Sequence, residues 1–285
     1  MNKISWAEFV RSRGSQLSTS DIETIATSAI AVMENGLPIL YVESMESSNA
    51  CAYCITHSGL KSAIQEFLGS DQKICLRLDR DLTHFPNLKS KRVQCRIEDA
   101  AVPISFRDCA FDNYRCDADR QRTALQSVMQ SSAHPFLTQF GIPGTGKTHL
   151  AVAWMRRYLS DNLTDKMGAY FNMSDLLAQL RKSYVANKDI SDEDQYSQVW
   201  ERISKADCLI LDDFGIQKHS DWVLEQLDMI IDDRYRNGRD ATIVTTNLTM
   251  KQVNGISPRI ASRLSAGDTV VVGGMDYRRQ NSNAQ

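Results

Sequence analysis

From Phe111 onward the sequence predicts an α/β fold, a parallel sheet covered by helices, with a smaller mixed α and β domain ahead of it. Three observations carry this. Apolar runs at 135–140, 169–171, 208–211, 242–246 and 269–272 alternate with helical patterns, as parallel strands joined by crossover helices require. The first run leads directly into Gly141-Ile142-Pro143-Gly144-Thr145-Gly146-Lys147-Thr148, and a helical pattern over 149–159 leads out. Two later runs end in polar side chains, Asp212-Asp213 and Asn247, where a parallel sheet presents its ligand-binding edge.

The loop spacing, Gly-x-x-x-x-Gly-Lys-Thr between a strand and a helix, is that of a phosphate cradle. Glycines at 141, 144 and 146 allow successive amides to point into one concavity at a helix N-terminus, where phosphate oxygens are bound. Residues 141–149, from Gly141 through Ile142, Pro143, Gly144, Thr145, Gly146, Lys147 and Thr148 to His149, are therefore the expected ATP-binding segment. Lys147 is expected at the β- and γ-phosphates, and the Thr148 hydroxyl on Mg²⁺. Asp212 is the second expected Mg²⁺ position, Asp213 the carboxylate that polarises the attacking water, and Asn247 the group that orients it. For an isolated Asp-Asp the competing reading is a turn or N-cap, and for Asn247 it is an asparagine in a strand-to-helix turn. In the helix expected over 221–235, Leu224, Leu227, Ile231 and Tyr235 mark the buried face.

A chain of 285 residues with 42% hydrophobic content supports two domains, expected at 1–106 and 107–285. The formal net charge is −2, so no overall basic field advertises nucleic acid and any such contact must be local. The first residues mix Lys3, Glu8, Arg11 and Arg13 into apolar ones, and no run is long enough to span a bilayer, so the expectation is a cytoplasmic protein with no membrane contact. Helices are expected at 6–13 and 21–33, and a strand at 37–42. Cys51 and Cys54 stand at the spacing that offers two thiolates to one tetrahedral metal. A structural Zn²⁺ completed by two of His57, Cys75 and Cys95 competes with a reading of buried reduced thiols. The stretch 83–106, with Pro86, Pro103 and the basic cluster Lys89, Lys91, Arg92 and Arg96, reads as a linker, with direct DNA contact as the alternative.

The phosphate loop, Leu211-Asp212-Asp213-Phe214-Gly215, Thr245-Thr246-Asn247-Leu248, Arg259-Ile260-Ala261-Ser262-Arg263-Leu264 and Gly274-Met275-Asp276-Tyr277-Arg278 occur in that order. Together they resemble the AAA+ P-loop NTPase domain of the DnaC/DnaI replicative-helicase loaders and their relatives, the IstB transposition helper ATPases. Cys109 to Tyr114 is similar to the segment that opens that domain in loaders, and the resemblance spans about 109–279. It implies an ATPase, a homo-oligomer built through the ATPase domain, a replicative DNA helicase and single-stranded DNA as partners, and an N-terminal domain that grips the helicase. It places Arg263 at the arginine-finger position, where the residue taken alone reads as a helical surface arginine paired with an acid, and Arg278 at a sensor-2-like position, with a reduced lid, since little chain follows Arg278. An IstB-like transposition helper and an ATP-switched DNA-binding adaptor with little turnover are the alternatives. The helix expected over 173–184 lies where related initiators face single-stranded DNA. Arg181, Lys182 and Tyr184 are the candidate contacts there, against ordinary packing of Leu176, Leu177 and Leu180.

Overall fold

Trp6 and Val10, four residues apart, are the buried face of the first helix, α1 (Trp6–Ser12). Its start is fixed reciprocally, Glu8 N donating to Ser5 Oγ at 3.3 Å and Ser5 N to Glu8 Oε2 at 3.0 Å. Strand β1 (Ala29–Glu34) pairs antiparallel with β2 (Leu37–Val42), from Ala29 opposite Val42 to Glu34 opposite Leu37. Helix α2 (Leu60–Leu68) follows, and β3 (Cys75–Leu78) adds parallel to β2. Trp6, Val10, Ile25, Leu40, Val42, Leu60 and Ile64 meet in one apolar core. The helix expected over 21–33 is thereby corrected. Residues 25–28 are helical, but 29–34 are extended, because Ile30 and Val32 gain a ladder partner in β2 that outweighs a helix-compatible pattern.

The computed structural model describes residues 5–12, 25–34, 37–44, 51, 60–70, 72, 74–163, 166–185, 190–215, 220–237 and 239–274, the side chains of 182–185 and 190–195 excepted. By internal contacts the chain divides into two units, Met1–Lys91 and Arg92–Gln285.

The division lies inside α3 (Pro86–Asp99), where the sequence suggested an irregular linker. Proline is compatible with a helix's first turn, and Val93 and Ile97, at i and i+4, are the buried face. With two buried apolar residues among so many charges, the helical period was too weak to read. Arg96 is not available for DNA: its guanidinium donates to the carbonyls of Leu163, at 2.6 Å, and Lys166. Tyr170 N donates to Ala100 O at 2.8 Å, so the residues just before 106 are built into the second unit.

In that unit a 3₁₀ turn (Ile104–Phe106) and α4 (Asp119–Gln130) precede β4 (Leu137–Phe140). Then come α5 (Lys147–Asp161), β5 (Gly168–Asn172), α6 (Met173–Val185), α7 (Ile190–Lys205) and β6 (Cys208–Phe214). The chain continues through α8 (Asp221–Arg236), β7 (Ala241–Thr246), α9 (Met250–Ile256), α10 (Pro258–Leu264) and β8 (Asp268–Val271). All five strands are parallel, in the order β5-β6-β7-β4-β8. Central β7 is buried at every position, which its sequence Ala-Thr-Ile-Val-Thr-Thr permits because each threonine carries a methyl and a hydroxyl. Leu209 and Leu211 of β6 pack with Leu176, Leu180, Ile203, Leu227 and Ile231 of α6, α7 and α8. The alternate residues of β6 turn to the face covered by α5. The C-terminal ends of β4, β6 and β7 therefore share one edge, because parallel strands in this order bring three loops together.

Between Leu211 opposite Val244 and Phe214 opposite Thr246 the β6–β7 register shifts by one residue. Asp212 and Asp213 thus face the single residue Thr245, a β-bulge, and Asp213 takes the left-handed conformation with φ of 58°.

The opposite edge is tied by Arg234 of α8, only 1% exposed. It donates to Ala206 O at 2.5 Å, Ala241 O at 2.7 Å and Thr242 Oγ1 at 2.9 Å. Burial lowers its pKa to about 10, which leaves it charged at neutral pH. Replacing it by methionine orphans carbonyls at the entries of β6 and β7, costing roughly 1–3 kcal/mol for each. Urea unfolding of Arg234→Met should show that loss; a change below about 1 kcal/mol would mean these carbonyls do not depend on the guanidinium.

Candidate nucleotide-binding and hydrolysis site

The loop after β4 turns tightly because two of its glycines have no room for a side chain. A Cβ on Gly141 would lie 2.3 Å from Val272 O, and one on Gly146, at φ of 91°, would lie 2.7 Å from the Tyr114 ring. Tyr114 also donates through its hydroxyl to Thr145 O at 3.1 Å, and His149 Nε2 lies 2.9 Å from Ala110 O, so the 110–114 segment braces the loop from outside. Burial lowers the His149 pKa, against a smaller raising effect of that carbonyl, and the ring is neutral at pH 7.

Lys147 is the first residue of α5 and is 6% exposed. Its Nζ donates to Gly141 O at 2.8 Å, Ile142 O at 2.9 Å and Asn247 Oδ1 at 2.8 Å. One cation thus joins the loop to the end of β7. Asp212 is 3% exposed and is satisfied by three hydroxyls. Thr148 Oγ1 donates to Oδ1 at 2.9 Å, Thr245 Oγ1 to Oδ1 at 2.6 Å and Tyr170 OH to Oδ2 at 2.7 Å. Burial first, and the Asp212 charge second, push the Tyr170 pKa far above its ordinary value, so the phenol is a donor at any physiological pH.

These groups line a cleft of about 500 Å³. Of the expected ATP-binding residues, Pro143, Gly144, Gly146, Lys147, Thr148 and His149 are on its wall, together with Asp212, Asp213 and Asn247. Thr145 instead turns inward, its Oγ1 donating to Ile142 O at 3.0 Å, and Ile142 is 60% exposed. Five wall residues escaped the sequence reading: Pro103, Phe106, Tyr170, Asn172 and Asp175. Tyr170 and Asn172 lie on β5, where only the pairing of Asn172 with Asp212 reveals their place.

The IstB-like ATP binding protein family matches residues 62–282. The chain belongs to this family. Among its relatives, the replicative helicase loader DnaC of Escherichia coli K12 is 26% identical over 194 residues, 65% of this chain and 74% of that protein. DnaC of Buchnera aphidicola subsp. Acyrthosiphon pisum is 26% identical over 188 residues, covering 64% of this chain and 73% of that one. The uncharacterized protein YdaV of Escherichia coli K12 is 29% identical over 206 residues, 70% of this chain and 76% of its own length. The crystal structure of the DnaC helicase loader superposes with a TM-score of 0.50 at 26% identity, covering 60% of this chain and all of that one. The AAA+ P-loop fold expected from the motifs is the fold of this IstB/DnaC-family chain.

Other expected site residues lie apart from the cleft wall. Arg263 of α10 is held within its own chain: Nη1 donates to Asp228 Oδ1 at 3.0 Å and Nη2 pairs with Asp232, both on α8, leaving the side chain 13% exposed. Arg259, one turn earlier, reaches Asp228 at 2.9 Å and is 56% exposed. Arg278, Cys54 and His57 lie outside the described residues. Cys51 is buried, Cys75 is half-buried and Cys95 is exposed on α3. Among the described residues no group of three or more His, Cys, Asp or Glu side chains is placed to hold a metal ion. Leu176, Leu177 and Leu180 of α6 are core residues, and the Arg181 guanidinium stacks over Trp222 at 5.1 Å. The side chains of Lys182 and Tyr184 lie outside the described ones. Among the described residues no helix is long and apolar enough to cross a membrane.

The donors fit a nucleotide with its magnesium. Gly144 and Gly146 precede, and Lys147 and Thr148 begin, α5, whose N-terminal end favours an anion, and Thr148 and Asp212 offer hard oxygens to a divalent cation. Lys147→Ala removes the cation and its link to Asn247, so ATP affinity should fall by orders of magnitude in an equilibrium titration, with the fold retained. Undiminished affinity in the folded variant would refute the assignment.

Proposed function

We propose that this protein is an ATPase that loads a hexameric replicative DNA helicase onto single-stranded DNA, acting in the cytoplasm as a homo-oligomer built through its second unit. One convergence supports this most. Lys147, Thr148, Asp212, Asp213 and Asn247 meet in one cleft, in a chain 26% identical to a replicative helicase loader over 65% of its length.

In this reading the amides at the start of α5 and the Lys147 ammonium hold the β- and γ-phosphates, Nζ exchanging loop carbonyls for phosphate oxygens. Thr148 and Asp212 hold Mg²⁺, which when bound neutralises charge between those phosphates. Asp213 polarises the attacking water and Asn247 orients it. Arg263 leaves Asp228 and Asp232 to stabilise the γ-phosphate charge in the neighbouring subunit's site, a role elsewhere worth about 10³ to 10⁵ in rate. The first unit grips the helicase. Co-purification with a replicative helicase, with nucleotide present and absent, tests the whole reading, and failure to associate under either condition would remove it.

The IstB-like description of the family supports a second reading, a transposition helper acting on duplex DNA. Parallel pull-downs with helicase and with transposase separate the two. Single-turnover hydrolysis with and without single-stranded DNA separates both from an ATP-switched adaptor.

The finger assignment predicts complementation. Arg263→Ala should leave ATP binding nearly intact, and Asp213→Asn should abolish hydrolysis; a mixture should regain activity, because an intact Asp213 then meets an intact Arg263 across some interfaces. If mixed oligomers form and hydrolyse nothing, Arg263 does not act in trans.

A further inference from the structure

We infer that Thr245 is the positioning residue that holds both carboxylates of the site in working geometry. The inference rests on the reading of Asp212 and Asp213 given above. Thr245 is the one residue of β7 opposite the two-residue bulge of β6, and its side chain is fully buried. Its hydroxyl works in both directions, donating to Asp212 Oδ1 at 2.6 Å and accepting the Asp213 N–H at 3.0 Å.

The consequences follow from strand geometry. In a regular strand, successive side chains point to opposite faces, and Asp213 would be directed away from the cleft that Asp212 lines. The bulge removes that alternation, and both aspartates line the same cleft. The left-handed backbone at Asp213 is unfavourable for a residue with a Cβ, so it needs a partner that repays it. The Thr245 hydroxyl is that partner, binding the amide of the strained residue. Tyr170 fixes the second oxygen of Asp212 from β5, leaving Thr148, on the loop side, as the hydroxyl that turns to a cation. Neighbouring Thr246 closes the bulge, donating to Phe214 O at 2.7 Å and accepting from Leu248 N at 3.0 Å. Thr245 touches no reacting atom, so its effect belongs in turnover rather than in nucleotide affinity.

The experiment is steady-state hydrolysis and equilibrium ATP binding by the full chain carrying Thr245→Val, Thr245→Ala, Thr245→Ser and, as reference, Asp213→Asn. Valine keeps the shape and removes the hydroxyl; alanine removes it without setting a methyl against Asp212, should valine compromise folding. Either should lower kcat roughly 10- to 100-fold with ATP affinity within about twofold. Serine, which restores the hydroxyl, should stay within about threefold of the unmodified rate. Unmodified turnover in a folded valine or alanine variant overturns the inference. So does an equal loss of turnover and affinity, or a serine variant as impaired as valine, since either marks an ordinary core position. Undiminished hydrolysis by Asp213→Asn would instead overturn the reading of Asp213 on which the inference rests.

Discussion

A carboxylate taken out of water is costly unless hydrogen bonds replace its hydration, and Asp212, 3% exposed, obtains them from three hydroxyls on three different elements. Thr148 comes from the phosphate-loop helix, Tyr170 from β5 and Thr245 from β7. Each of the three offsets part of the cost of burying the carboxylate, so the Asp212 site ties the loop helix to two neighbouring strands. The same arrangement holds the Asp212 oxygens in fixed directions, which is the preorganisation that the magnesium role proposed for Asp212 would need.

The loop is held in a comparable way by a cation. Lys147 spans from the carbonyls of Gly141 and Ile142 to Asn247, so the residue expected on phosphate already stitches the loop to the end of β7. Phosphate oxygens would replace protein acceptors rather than water. At the far edge Arg234 performs the structural counterpart, joining α8 to the entries of β6 and β7 through carbonyls. The central strands are thus pinned at both ends by buried ionised side chains, while the apolar core fills the layer between. Arg263 differs from both. Its carboxylate partners lie on its own α8, and any contact with a neighbour's nucleotide must compete with them.

Much of the second unit was legible because its signals are short and contiguous. The glycine spacing before Lys147-Thr148, the apolar run ending in Asp212-Asp213 and the run ending in Asn247 each announce an element and its functional end. The first unit was less legible. The pattern around Ile25, Ala26 and Ala29 suits a helix as well as a strand, and pairing with β2 decided in favour of a strand over 29–34. In α3, two buried apolar residues were outnumbered by charges, so a helix looked like a linker. Arg96 looked like a surface cation, and only its carbonyl partners show it to be structural.

The sequence by itself determined the chemical groups on offer: a glycine-rich loop with its lysine, two carboxylates and an amide at the ends of parallel strands, in a chain of the IstB-like ATP binding protein family. These follow from residue type and local spacing, which survive any detail of packing. Tertiary structure alone decided how the groups are aimed. The bulge that turns Asp212 and Asp213 into one cleft exists only in the register between β6 and β7. Tyr170 reaches Asp212 only because β5 lies beside β6, some forty residues away in sequence. Register is a property of two strands together, and neither strand's sequence contains it.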